Sequence, residues 1–197
     1  MTGAVVLAAG ASSRMGHPKG LSIEAEQPLI LRMVRALKQE DFHPRVVVLG
    51  AHAAEYLKVL PEHDVVPVLN EHWLEGRTGS AQVGLKRAKE GEEGVLLWPV
   101  DHPLVRPGTL HDLAHTSKAR GAAWTVPSYH GRRGHPVMLG SQAIREVLTY
   151  ARSDPLHRFP HEHPQDVLEV PVEDPGVADN LDTPETLASA LARDGGA

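Results

Sequence analysis

Short apolar segments alternate along this chain with longer segments in which apolar residues recur at helical spacing. The short segments are rich in Val or Leu and are bounded by Gly, Pro or polar residues, which is the pattern of buried strands. We predict strands at residues 4–8, 45–49, 65–69, 95–98 and 122–126. Such uninterrupted apolar runs are typical of parallel sheets that are covered on both faces.

The segments between these strands have the spacing of amphipathic helices. In residues 29–40, for example, Leu29, Met33, Val34 and Leu37 fall on one helical face. The same pattern predicts helices at residues 53–60, 80–89, 108–119 and 142–151. Strands that alternate with helices predict βαβ units, so we expect an α/β protein with a mostly parallel sheet and right-handed crossovers.

The last third of the chain has a different pattern. Residues 152–180 contain five prolines and few periodic apolar residues, so we expect irregular structure with one strand at 167–172. A final helix is predicted at 185–191, because Thr183 can cap it and Pro184 suits its first position. No repeat or low-complexity linker divides the sequence, and we expect one domain over residues 1–197.

Composition narrows the functional classes. The 197 residues carry a formal net charge of −5, which disfavours nucleic acid as a partner, and any affinity for phosphate must be local. The absence of cysteine excludes disulfides, thiolate metal sites and cysteine nucleophiles. No apolar run reaches the roughly 18 residues of a membrane span, and no basic segment precedes the first apolar run. We expect a cytoplasmic enzyme with no membrane partner.

The loop after the first predicted strand has the chemistry of an anion site. Residues 7–19 read LAAGASSRMGHPK, so small residues are followed by Arg14 and Lys19. Small residues let backbone N–H groups approach a phosphate, the hydroxyls of Ser12 and Ser13 add donors, and the two cations add charge. Ligands of open α/β sheets bind beyond the carboxyl ends of strands, where this loop lies. An ordinary strand–helix turn is the alternative.

Two acidic positions are candidate metal ligands. Asp101 directly follows a predicted strand, where its carboxylate can bind Mg²⁺ that bridges phosphates; the alternative is an Asp that caps a turn before Pro103. Residues 179–183 read DNLDT and offer Asp182 as a second ligand, with helix capping as the alternative.

A further loop, residues 70–80, follows a strand and opens a helix. Gly79 and Ser80 there offer free N–H groups to a base edge or a phosphate, unless the segment is a surface loop with a serine cap. The histidine groups at 111 and 115, and at 157, 161 and 163, resemble metal patterns but lack a third ligand. We interpret them as solvated surface residues.

Together these segments resemble the nucleotidyltransferases that mature molybdenum cofactors, the molybdopterin-guanine dinucleotide type included, and most of all molybdenum cofactor cytidylyltransferase. The opening loop matches every fixed position of L-A-A-G-x-S-x-R-M-G-x-x-K, a pattern shared with sugar, isoprenoid-precursor and choline nucleotidyltransferases. Later matches are N-x-x-W-x-x-G-x-x-x-S-x-x-x-G from Asn70, D-x-P from Asp101, P-x-Y-x-G-x-x-G-H-P-V from Pro127 and D-T-P-E from Asp182. The resemblance spans residues 4–191.

The resemblance implies a three-layer Rossmann-like fold and Mg²⁺ bound by Asp101 and Asp182. It implies catalytic roles for Arg14, Lys19 and Asp101, and acceptor binding by Arg133, Gly134 and His135. The nucleotide-binding residues it implies are Leu7, Ala8, Ala9, Gly10, Ser12, Ser13, Arg14, Lys19, Asn70, Gly79 and Ser80. The partners would be an NTP, molybdopterin as phosphorylated acceptor and a target molybdoenzyme. Cytidylyl relatives read L-A-A-G and guanylyl relatives L-A-G-G, so Ala9 favours CTP over GTP.

The sequence departs from the family pattern at two places. Relatives commonly read G-D-x-G-A-R where residues 153–158 read SDPLHR, and Pro fixes φ and removes an N–H, which puts the pterin acceptor in doubt. Asn180 stands where the family often has Asp.

We therefore expect transfer of CMP from CTP to the phosphate of molybdopterin, with release of pyrophosphate. The alternatives are guanylyl transfer, transfer to a sugar phosphate or phosphocholine, and a nucleotide-binding protein without catalysis.

Overall fold

Strands and helices alternate over most of the chain. The structure is a computed structural model that describes residues 2–24, 26–88 and 94–194. The strands are β1 (Gly3–Ala8), β2 (Ile23–Glu24), β3 (Gln27–Pro28), β4 (Arg45–Leu49), β5 (Val66–Leu69), β6 (Val95–Pro99), β7 (Trp124–Tyr129), β8 (Arg132–Arg133), β9 (Val137–Leu139) and β10 (Val167–Pro171). The α-helices are α1 (Leu29–Gln39), α2 (Ala53–Leu57), α3 (Arg77–Ala88), α4 (Pro107–Arg120), α5 (Ser141–Val147), α6 (Arg158–Glu162) and α7 (Pro184–Asp194).

One large sheet forms the middle of the fold, in the strand order β10-β7-β9-β6-β1-β4-β5, with β8 paired to β7. Strand β1 lies between β6 and β4 and is parallel to both, and β5 continues the parallel part beyond β4. Strand β9 is antiparallel to β6 and β7, and β10 is parallel to β7. The predicted α/β fold with a mostly parallel sheet is confirmed.

Helices cover both faces of this sheet. Alternate residues of β1 point to opposite faces. Val6 packs in one apolar cluster with Met33 of α1 and Leu110 of α4. Val5 packs in the other with Leu85 of α3. The result is the three-layer arrangement that the family resemblance implies.

Several predicted boundaries differ from the observed ones. Helix α3 begins three residues before the predicted start at 80, and the predicted end at residue 89 lies outside the described residues. Helix α7 runs from Pro184 to Asp194, and its capping by Thr183 is confirmed, because Thr183 Oγ1 accepts a hydrogen bond from the Thr186 N–H at 3.3 Å. The stretch predicted as irregular contains α6, which places Phe159 in the core under Trp124.

Strand β9 was not predicted at all. It has only three residues and follows a proline, so neither length nor alternation marks it in the sequence. Its residues are fully buried between β6 and β7. In the part of the chain that the structure describes, no helix has the length and apolarity to cross a membrane.

Candidate active site

A cavity of about 250 Å³ opens at the carboxyl ends of β1 and β6, beside the first turn of α3. It brings together predicted site residues that are far apart in the sequence. Those that line it are Leu7, Ala9, Gly10, Ser12, Ser13, Arg14, Lys19, Ser80 and Asp101. Trp73, Gly76, Arg77, Pro99 and Val100, to which we assigned no role, also line it.

The loop after β1 is held by one hydrogen bond within the loop, at Ser12, and by one to His52 at the start of α2. Ser12 adopts a positive φ of 51°, and its hydroxyl accepts a hydrogen bond from the Lys19 N–H at 3.2 Å. His52 donates a hydrogen bond from Nε2 to the Ala11 carbonyl at 3.0 Å. That bond raises the pKa of His52, helped by Glu55 and opposed by partial burial. The loop is therefore an ordered structure that presents Arg14 and Lys19 together.

The position of Lys19 depends on close packing at the next residue. The Gly20 N–H donates to the hydroxyl of buried Tyr56 at 3.1 Å. A Cβ at Gly20 would lie 2.8 Å from Val100 and 2.9 Å from Tyr56, so only glycine fits without displacement. Burial raises the pKa of Tyr56 to about 12, so its hydroxyl stays protonated.

Asp182 lies against the two cations of this loop. Arg14 Nη2 is 2.8 Å from Asp182 Oδ2, and Lys19 Nζ donates to Asp182 Oδ1. Burial raises the pKa of Asp182, but the hydrogen bond and charge of Lys19, with those of Arg14, outweigh it and place the pKa below its usual range. The carboxylate is therefore ionised near neutral pH, and it neutralises the cations that we predicted to bind phosphates.

Asp101 is buried, and its carboxylate is poorly satisfied. Within the described residues its Oδ1 has no hydrogen-bond partner, and its Oδ2 is 3.9 Å from Arg77 Nη2. The alternative that it caps a turn is therefore wrong. A buried carboxylate without full partners is costly unless a cation completes it, and carboxylate oxygen is the ligand that Mg²⁺ prefers. The Leu181 N–H donates to the Asp101 carbonyl at 2.8 Å, which ties the segment that carries Asp182 to the end of β6.

Two buried histidines lie beside Asp101. The rings of His102 and His135 are 4.9 Å apart, and His102 Nε2 is 3.9 Å from Asp101 Oδ1. Burial lowers the pKa of His102, against the opposing charge of Asp101. Burial, with His102 next, lowers the pKa of His135 to about 4. Both imidazoles are neutral at pH 7, and among the described residues neither Nδ1 has a partner.

The start of α3 forms the opposite wall. Asn70 Nδ2 donates to Ser80 Oγ at 2.9 Å, and the Asn70 side-chain oxygen accepts the His72 N–H at 3.1 Å. Asn70 and Ser80 are buried, and Ser80 lies inside the first turn, so a surface loop with a serine cap is the wrong alternative. Gly76 has a φ of 132°, and a Cβ there would lie 2.6 Å from the Arg152 carbonyl.

Some predicted site residues do not line the cavity. Ala8 faces the core on the other side of the sheet, and Gly79 packs against the Arg152 side chain. Arg133 is exposed on β8 and pairs with Glu169 at 2.8 Å. Gly134 packs against the Val177 carbonyl. The remaining members of this group are Asn70, Asp182 and His135.

The segment that departs from the family pattern packs against α3. The Asp154 carbonyl accepts a hydrogen bond from the Thr78 hydroxyl. The Asp154 carboxylate accepts the Ala151 N–H and an Arg158 N–H, each at 3.1 Å. The turn that contains Pro155 is therefore ordered, and it packs against the cavity wall formed by Gly76 and the start of α3.

The other histidine groups lie outside the cavity. His111 and His115 stack on the exposed face of α4 with their rings 6.1 Å apart. His163 is 3.0 Å from Glu146, and with Glu162 these residues place three potential ligand atoms within 4.8 Å of one another. His157 and His161 are exposed.

Among the residues to which sequence reasoning assigned no role, Trp73 and Arg77 line the cavity and His102 lies beside Asp101. Trp73 is a fixed position of the second motif, so the motif itself could have marked it. Arg77 and His102 occupy variable positions of their motifs, and only the fold shows that they flank Asp101.

Comparison with known proteins identifies the family. The family model described as "MobA-like NTP transferase domain" matches residues 4–167 of this chain. The chain belongs to this MobA-like family. A curated relative, the bifunctional protein GlmU of Syntrophomonas wolfei, is 31% identical over 139 residues, which are 66% of this chain and 30% of that protein. The chain thus spans about a third of the length of such relatives.

Solved structures of the same fold cover nearly the whole chain. Rv0371c from Mycobacterium tuberculosis H37Rv has a TM-score of 0.83 at 24% identity, and the match covers 97% of each chain. A further structure of Rv0371c is a complex with manganese. It has a TM-score of 0.78 at 23% identity, and the match covers 97% of this chain and 98% of that one. Molybdopterin-guanine dinucleotide biosynthesis protein A from Archaeoglobus fulgidus has a TM-score of 0.70 at 20% identity, covering both chains completely. At these identities the likeness shows the fold.

Proposed function

We propose that this MobA-like protein transfers CMP from CTP to the phosphate of molybdopterin and releases pyrophosphate. The observation that carries the proposal is the cavity in which a loop with two cations faces the buried, incompletely partnered carboxylate of Asp101. A triphosphate needs cations on its oxygens and a carboxylate-bound metal beside them. This cavity offers the cations and, in Asp101, a carboxylate that would hold the metal.

The reaction requires positioning and charge neutralisation more than proton transfer. An oxygen of the acceptor phosphate attacks the α-phosphorus of CTP, the bond from that phosphorus to the bridging oxygen of the β-phosphate breaks, and pyrophosphate leaves with the electron pair. Arg14 and Lys19 bind the triphosphate oxygens and stabilise the negative charge on the leaving group. A phosphate acceptor is already anionic near neutral pH, so the step needs no general base.

Asp101 and Asp182 are the proposed ligands of a divalent cation. Asp101 fits because its buried Oδ1 has no partner among the described residues. Mg²⁺ bound there would neutralise phosphate charge and favour in-line attack. Rv0371c, which shares this fold, has been solved as a complex with manganese, and this supports the choice of a divalent cation.

The proposed preference for CTP over GTP rests on Ala9, which lines the cavity. The acceptor is proposed to contact the surface near His135, Gly134 and Arg133, and a molybdoenzyme would receive the product. Transfer to another phosphorylated acceptor is the second candidate, since residues 153–158 depart from the molybdopterin pattern and GlmU is among the relatives.

Asp101→Asn tests the core of the proposal. With Mg²⁺, CTP and molybdopterin, the wild type should release pyrophosphate, and the variant should lose at least about 100-fold in rate, because electrostatic stabilisation by one such group supplies about 2.7–4 kcal/mol. The near-isosteric change keeps the fold, which the melting temperature checks. Retained pyrophosphate release would exclude Asp101 from the reaction.

Thermal stabilisation by each nucleotide with Mg²⁺ separates the candidate functions. A ligand at about 100 times its dissociation constant adds roughly 2.7 kcal/mol of stability. Stabilisation by CTP alone supports cytidylyl transfer, and stabilisation by GTP supports the guanylyl alternative. Binding without pyrophosphate release for any acceptor would indicate a nucleotide-binding protein.

A further inference from the structure

The cations of the 7–19 loop are already paired within the chain. Asp182 accepts a hydrogen bond from Lys19 Nζ and lies 2.8 Å from Arg14 Nη2. The side chains of Lys19 and Asp182 are only 14% and 19% exposed, whereas that of Arg14 is 69% exposed. The Lys19 pair is therefore shielded from water, and leaving either of its partners unpaired costs more than it would in a surface ion pair.

A carboxylate and a phosphate make the same kind of bond to Arg and Lys. Asp182 thus occupies the partners that a triphosphate needs. A triphosphate that takes Arg14 and Lys19 leaves the half-buried carboxylate of Asp182 unpaired beside new negative charge, which is unfavourable in a region of low dielectric.

A divalent cation bound at Asp101 would remove the cost of leaving the Asp182 carboxylate unpaired. The Leu181 N–H donates to the Asp101 carbonyl at 2.8 Å, so the residue before Asp182 is bonded to the residue that carries the other carboxylate. Asp101 Oδ1 is buried and, within the described residues, without a partner. A divalent cation at Asp101 is therefore within reach of the Asp182 segment and could replace Arg14 and Lys19 as its counter-ion.

We propose that Asp182 competes with the triphosphate for Arg14 and Lys19, and releases them only when a divalent cation neutralises its carboxylate. The inference rests on the proposed function for the use of this cavity by a metal–triphosphate. It adds that nucleotide and metal bind cooperatively, and that Asp182 is the metal ligand through which they are coupled. Such coupling is typically 5- to 150-fold in affinity.

Inorganic tripolyphosphate is the probe that tests this coupling, because it has the charge of the triphosphate and no base. Its affinity is measured by calorimetry in EDTA and again in Mg²⁺. For Asp182→Asn we expect metal-free affinity to rise at least about fivefold, within that coupling range, and the enhancement by Mg²⁺ to shrink. Unchanged or weaker metal-free binding by Asp182→Asn would overturn the proposal.

Three further variants separate this role from a structural one. Asp182→Glu keeps the charge and should keep metal-free binding weak. Asp101→Asn removes a proposed metal ligand but leaves the Asp182 pairs, so it should reduce the Mg²⁺ enhancement. Its metal-free affinity should rise by less than that of Asp182→Asn, because Arg14 and Lys19 stay paired with Asp182. Asp179→Asn removes a nearby carboxylate that pairs with Arg193 at 2.8 Å, and it should change neither measurement.

The outcome also distinguishes this inference from the proposed function. If the wild type binds tripolyphosphate in Mg²⁺ and Asp182→Asn shows no gain in EDTA, only the competition is wrong. If neither protein binds tripolyphosphate or any nucleotide in either buffer, both proposals fail.

Discussion

Ala9 is one of the small residues that line the cavity at the carboxyl ends of β1 and β6. Its backbone is fixed, because its carbonyl accepts the Ala51 N–H at 3.0 Å and a Cβ at Gly50 would lie 2.4 Å from the same oxygen. The residue is only 4% exposed but lines the cavity. A substitution here therefore changes the shape of the cavity more than the course of the loop.

Ala9→Gly should raise the use of GTP relative to CTP. One methyl group in such a pocket discriminates by about 1–3 kcal/mol, so the ratio of kcat/KM values for the two nucleotides should shift by roughly 10-fold or more. Ala8→Gly is the matched control, because Ala8 is buried on the other face of the sheet and should change stability alone. An unchanged base preference in Ala9→Gly would remove the steric explanation.

The sequence predicts which residues belong to the site better than it predicts which charged side chains pair with one another. Arg14, Lys19 and Asp101 follow strands in a recognisable order, and the fold brings all three to one cavity. The pairing of Asp182 with the loop cations joins residues 163 positions apart, and no local pattern encodes it. The site residues were therefore predictable from the sequence, whereas their ion-pair partners are seen only in the folded structure.

At the scale of elements, helix α3 depends on how closely it approaches the sheet. A Cβ at Gly84 would lie 2.3 Å from a methyl of Val5 on β1 and 2.8 Å from one of Val48 on β4. These are backbone-anchored β-branched side chains in the centre of the sheet, with little freedom to move. The helix lies at this distance because position 84 has no side chain.

Gly84→Ala should therefore destabilise the protein by about 1–3 kcal/mol, the usual cost of overpacking, despite the better helix propensity of alanine. Chemical denaturation measures this loss. Gly108→Ala in α4 is the control, since a Cβ there meets no described atom within 4 Å, and it should leave stability unchanged or raise it by up to about 1 kcal/mol. Equal effects of the two substitutions would contradict the packing argument.

Elements were predictable where length and period agreed. Strand β1 is an uninterrupted apolar run of six residues and helix α1 repeats its apolar positions over eleven, and both were predicted within a residue of their ends. Strand β9 and helix α6 have three and five residues, too few for a period, and α6 contains Pro160. Tertiary packing on Trp124 and on β6 and β7 decides the structure of these short segments.

At the scale of the whole molecule, acid stability should depend on a buried histidine. The His135 N–H donates to the Val177 carbonyl, which joins the β8–β9 connection to the segment before α7. Burial lowers the pKa of His135 to about 4, whereas an unfolded chain protonates this residue near 6.5. Below pH 6.5 the unfolded state therefore takes up the proton first, so stability should fall as the pH drops from about 6.5 to 4, by up to roughly 3 kcal/mol.

His135→Gln should reduce the loss of unfolding free energy at acid pH, because glutamine has no proton to gain. Above pH 6.5 the pH dependence of stability should be the same in the variant and the wild type. Equilibrium denaturation at pH 7.0, 6.0, 5.0 and 4.5 gives the slope for each protein. His102, whose pKa burial also lowers, retains part of the acid dependence in the variant. His115→Gln, on the exposed face of α4, should keep the full wild-type slope. An equal slope for wild type and His135→Gln would mean that His135 is protonated in the folded protein, and then the neutral imidazole pair beside Asp101 does not exist.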